Sequence, residues 1–110
     1  MAHTIARTTD IQTVRITMDS NTDDATAVTI DSFYRVIRLQ FYASNDSTTE
    51  AGFVSSAGTD SENKGTNWFA VPPGEMLTMR LSRGAPNADT VLYVTGTTAS
   101  GHCHVIASAD

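Results

Sequence analysis

The chain has 110 residues, a net charge of -5 and 40% apolar residues, and its 17% of charged residues falls well below the usual quarter. That length suits one hydrophobic core and excludes two independent domains. Seven basic residues scattered among twelve acidic ones disfavour a nucleic-acid partner, and no apolar run is long enough to cross a bilayer as a helix, so no membrane partner is expected.

Thr and Ser take the place of the missing charges. Thr is β-branched and favours the pleated backbone without demanding burial, while Lys, Leu and Glu are scarce, so strands are expected rather than helices. Cys103 is the single cysteine, which rules out an intrachain disulfide and fits a reducing compartment. The opening MAHTIARTTDIQ lacks the charged-then-apolar layout of a signal peptide.

In chain order, residues 1–10 hold too few apolar side chains for a core element and are expected to form a flexible arm, with 11–110 as a single domain. His3, Ile5 and Arg7 are its expected contact residues. From Ile11 to Met18, Val14, Ile16 and Met18 alternate with Thr13, Arg15 and Thr17, the period of a half-buried strand. The turn formers Ser20 to Asp24 follow, then a second strand around Val28 and Ile30. The run from Phe33 to Ala43 places Ile37, Leu39, Phe41 and Ala43 on one face and Arg38, Gln40 and Tyr42 on the other, as a central strand would.

Ser44 to Asn67 reads as a long loop carrying one short strand at Phe53 and Val54. Trp68 to Val71 then runs into Pro72, Pro73 and Gly74, where proline fixes one torsion and glycine supplies the positive one of a tight turn. Leu77, Met79 and Leu81 alternate beyond it, a turn occupies Ser82 to Asp89, and Val91 to Thr95 and His102 to Ala107 make two further strands. About seven or eight short antiparallel strands separated by turns predict an all-β domain, a β-sandwich or jelly roll. The expected core is Val14, Ile16, Ile37, Leu39, Phe41, Leu77, Met79, Leu81, Val91, Tyr93, Val105 and Trp68.

His102 and His104 would project to one side of their strand about 6 to 7 Å apart, as in metal-binding His-x-His pairs. The cupin-like version of such a fold follows that pair with a glutamate, whereas Val105, Ile106, Ala107 and Ser108 follow here. The expectation is therefore a surface or subunit-facing pair with no metal or other cofactor. Cys103 should point to the opposite face as a buried thiol. Asp19, Asp23, Asp24 and Asp31 match no EF-hand spacing and sit in a solvated turn unsuited to paired acid catalysis. With no nucleophile elbow, phosphate loop or dinucleotide fingerprint, no enzyme is expected.

Four segments, LQFYASNDS (Leu39 to Ser47), WFAVPPGE (Trp68 to Glu75), VLYVTGTT (Val91 to Thr98) and SGHCHVIAS (Ser100 to Ser108), have a layout that resembles small tailed-phage virion proteins. The resemblance covers about 70 residues, omits the first 30, and departs from the pattern in the longer middle loop and the histidine pair. It implies a capsid cement or decoration protein that docks on the major capsid protein or other virion proteins, assembled in the host cytoplasm and located in the virion. Self-association, with a trimer favoured, is expected because a chain of this size without disulfides gains stability by burying surface against its copies. A neck or tail component is the alternative. A carbohydrate-binding module, with Trp68 and Phe69 or with Trp68 beside Tyr42 or Tyr93 as a stacking platform, is the rival from another class.

Overall fold

Alternation of apolar residues with Thr, Arg and Gln gives each segment one face to bury, and strands are the elements that bury such faces. The computed structural model describes residues 2–21, 24–56, 68–81 and 88–109, and among these there are nine strands and no helix. They are β1 (Ala2–Ile5), β2 (Ile11–Thr17), β3 (Thr26–Ile30), β4 (Val36–Tyr42), β5 (Gly52–Ser55), β6 (Phe69–Val71), β7 (Leu77–Arg80), β8 (Thr90–Gly96) and β9 (His102–Ser108). The expected loop and turn segments at 57–67 and 82–87, and Asp23, lie outside the described residues.

The pairing is nested. β5 pairs with β6, β4 with β7, β3 with β8 and β2 with β9, all antiparallel, like one long hairpin of four rungs. The ribbon rolls so that successive rungs fall in different sheets, and the pairs β4·β9 and β5·β8 join the rungs laterally. The result is a four-stranded sheet in the order β2-β9-β4-β7 packed against a five-stranded sheet in the order β1-β3-β8-β5-β6. Strands β2 to β9 thus follow jelly-roll wiring, with β1 added at the edge of the second sheet.

β1 differs from the expected arm. Ala2–Ile5 pairs with β3 in parallel register, and Ile5 is fully buried. A single anchoring side chain suffices because the backbone pairs with an otherwise open sheet edge, and the Ile5 carbonyl continues the pairing by accepting from Asp31 N at 3.0 Å.

The core lies between the sheets. Ile16, Ile37, Leu39, Phe41, Cys103 and Val105 fill it from the four-stranded side, and Val28, Ile30, Val54, Leu92 and Val94 from the other. Val91 and Tyr93, expected inside, point outward instead. In the run Val91-Leu92-Tyr93-Val94 every residue is apolar enough to bury, so the alternation has no preferred phase until the register Leu92↔Val28 sets it. Trp68 is only half-buried, and Val14, Leu77, Met79 and Leu81 pack at the core margin. Buried Tyr34 closes the β1–β2 end, where its hydroxyl donates to the Thr9 carbonyl at 2.7 Å and lies 2.9 Å from Gln12 Oε1.

Candidate functional site

On the outer face of the four-stranded sheet, the register aligns Arg15 with His104 and His104 with Gln40, while His102 stands between Thr17 and Tyr42 in the next row. The turn after β4 lays Asp46 over this row. Asp46 has φ 60, a left-handed conformation that Asp tolerates better than most residues, and its amide donates to the Ala43 carbonyl at 3.0 Å. Its Oδ2 is 2.6 Å from Arg15 Nη2, and its Oδ1 is 2.8 Å from His102 Nδ1 and 3.0 Å from His104 Nε2. Arg15 Nη2 also lies 3.2 Å from His102 Nδ1. The Tyr42 ring stacks on His104 with centroids 4.2 Å apart, and its hydroxyl donates to Gln40 Oε1 at 2.9 Å.

The hydrogen bond from Arg15 holds the Asp46 carboxyl far below the usual carboxylate range, outweighing desolvation, and the bond from His104 adds to it. With its proton on Nε2 alone, His102 accepts from Arg15 through Nδ1, whereas with a proton on Nδ1 it donates to Asp46 instead. Cys103 points into the core from the opposite face, and burial pushes its thiol far above the ordinary range, which leaves it inert. Among the described residues no three His, Cys, Asp or Glu side chains are arranged to hold a metal ion. The cation of this cluster is the Arg15 guanidinium, and the cluster acts as a latch that pins the turn to the sheet.

Asp46→Asn tests the latch. A carboxyl lowered by folding contributes stability that is present above its unfolded value of about 3.9 and is lost as pH falls below it. Asp46→Asn should therefore melt earlier than wild type at pH 6 to 7, and the gap should begin to narrow below about pH 4 and shrink steadily towards pH 2. Thermal melts between pH 7 and pH 2 measure this. A gap that is absent, or constant with pH, contradicts the latch.

The other side of the sandwich carries the aromatic pair. The turn Pro72-Pro73-Gly74-Glu75 closes with Glu75 N donating to the Pro72 carbonyl at 3.2 Å and Gly74 at φ 80, the positive torsion anticipated for it. It joins β6 to β7, which lie at the corresponding edges of the two sheets. Between them opens a groove of about 460 Å³ lined by Val54, Ser55, Ser56, Trp68, Phe69, Leu77 and Met79. Phe69 is 62% exposed there. Tyr42 belongs to the opposite sheet and is taken up by His104, so it forms no platform with Trp68. Of the contact residues expected near the N-terminus, Ile5 is in the core, His3 Nε2 lies 3.2 Å from the Thr17 carbonyl, and Arg7 covers the Phe33 ring at 3.9 Å.

A wider pattern joins these features. The eight carboxylates among the described residues, Asp10, Asp19, Asp24, Asp31, Asp46, Glu50, Glu75 and Asp89, all fall outside the nine strands. The arginines within strands are Arg15, Arg38 and Arg80, and the register sets all three on the outer face of the four-stranded sheet. Among the described residues, the strand positions on the outer face of the five-stranded sheet carry no ionisable charge: Ala2 lies across from Ala27, Thr4 from Thr29, Ala27 from Tyr93 and Thr29 from Val91. Phe53 continues the face on β5, opposite Thr95 and Ala70. Sequence reading found neither Asp46, which looked like an ordinary turn former, nor this partition, which becomes visible only when strand phases are known.

Comparison with protein-family models finds no matching family, and neither the curated proteins nor the solved structures yield a match.

Proposed function

We propose that this chain is a structural protein of a tailed-phage virion that cements or decorates the head, associating with copies of itself and docking on the major capsid protein. The observation that carries the reading is the partition of charge. A net charge of -5 makes free copies repel, yet every described carboxylate lies outside the strands and the described residues on one outer sheet face are neutral. Interfaces are depleted of charge at their centres and enriched in aromatic residues, and this face has Tyr93 and Phe53 among Ala and Thr. The four segments that resemble small virion proteins contribute β4, β6, β8 and β9, so the resemblance falls on the framework of both sheets. Jelly-roll wiring is shared with viral capsid domains, and equally with lectins and cupins, so the wiring agrees with the reading without defining it.

Density-gradient sedimentation of purified phage heads that lack the chain, mixed with the purified chain, tests the proposal. The expected result is saturable co-sedimentation at a fixed ratio to the major capsid protein. A chain that stays in the soluble fraction at every concentration contradicts it.

A further inference from the structure

We infer that the part of the outer face of the five-stranded sheet formed by β1, β3 and β8 is the surface on which two copies of this chain pair, sheet against sheet about a two-fold axis. The inference rests on the assembly reading above and names the surface that the reading leaves open. Two-fold pairing brings each patch against its own kind, so a charged patch opposes like charge. The outer face with Arg15, Arg38 and Arg80 is disfavoured on that ground. The acidic connections are disfavoured for the same reason. The face built by β1, β3 and β8 is free of this penalty, because Ala2, Thr4, Ala27, Thr29, Val91 and Tyr93 carry no charge in the physiological range.

Its relief also suits self-packing. Tyr93 stands directly across the ladder from Ala27, a large side chain beside a small one on the same face. Two copies related by a two-fold axis can set each Tyr93 over the partner's Ala27, and Tyr supplies contact area at low entropic cost. Val91, 38% exposed on this face, gains most from being covered. Three strands, β1, β3 and β8, spaced about 4.8 Å apart and each paired over about five residues at about 3.3 Å per residue, give a footprint of about 240 Å² per copy, since Ser55 and Thr95 farther across the face are already buried. The pair buries about 480 Å², far below the range of tight complexes, so dimerisation is weak in free solution. High local concentration on a lattice would amplify it. A flat face pairing with itself gives a dimer, in place of the trimer favoured from sequence.

Sedimentation equilibrium from micromolar to millimolar concentration tests the surface. The full chain should dimerise with rising concentration, and Val91→Glu should raise the dissociation constant at least about tenfold by opposing like charges. Val91 is solvent-facing, so the variant should melt like wild type, and Thr29→Glu on the same face provides a second variant should it not. An equimolar mixture of Val91→Glu and Val91→Arg should recover the dimer, and Arg38→Glu on the opposite face should leave it intact. A chain that is monomeric throughout, a dimer indifferent to Val91→Glu and Thr29→Glu, or equal disruption by Arg38→Glu would overturn the inference. Carrying Val91→Glu into the gradient experiment separates the two ideas. If the wild-type chain proves monomeric yet binds heads, this surface is refuted and the virion reading stands; a dimer that ignores heads refutes only the virion reading.

Discussion

Replacing Gly52 by alanine is expected to destabilise the fold by about 3 kcal/mol or more, the upper range for forcing a group into a packed core. A Cβ at Gly52 would stand 2.1 Å from Phe41 Cγ and 2.3 Å from both Cδ atoms. Those atoms belong to the middle of a ring that is 1% exposed, so the ring has no free end to swing aside. Gly52 faces the core between the Val71 and Gly96 positions of its neighbours, and Phe41 reaches across from the other sheet to lie against its backbone. Shrinking the ring should give part of the loss back: Phe41→Leu combined with Gly52→Ala should be at least about 1 kcal/mol more stable than the two single losses added together. Urea unfolding of the four proteins measures this. A near-neutral Gly52→Ala would mean that the two sheets do not approach at this point.

Leu39→Ala should cost about 2 to 5 kcal/mol, the range for removing a buried leucine. Leu39 is 2% exposed in the middle of β4, with Val105 of β9 on one side and Leu77 of β7 on the other. Its neighbours are held by both flanking strands and have little freedom to collapse into the space left behind, which favours the upper part of the range. The fall in urea midpoint at unchanged slope is the readout. A loss below about 1 kcal/mol would place Leu39 on an exposed face.

Legibility followed the strength of the alternation. β2 and β4 were readable because Val14, Ile16, Leu39 and Phe41 are separated by Arg, Thr and Gln, so only one phase buries the apolar side. β8 was readable as a strand but not in phase, since Val91, Leu92, Tyr93 and Val94 offer both faces to the core. β1 was hidden because its main attachment is backbone pairing with β3, a contact between segments more than twenty residues apart that leaves one apolar mark, Ile5. The core role of Tyr34 was hidden because it lies just outside the regular strand β4, while the burial of Met18 follows the alternation of Val14 and Ile16 beyond the end of β2. At the polar cluster the His102 and His104 side chains share a face as their spacing indicates, but His102 is buried against Asp46 where a surface pair was expected. Their partners were invisible, because Arg15 and Asp46 reach them only through β-sheet pairing and a tertiary turn.

The most direct test of the assembly account is averaged cryo-electron microscopy of phage heads saturated with the chain. The account predicts added density that follows the symmetry of the shell at capsomer boundaries, each copy fitting a sandwich of 34 × 29 × 22 Å. A bare capsid lattice, or added density confined to the portal vertex, would contradict it.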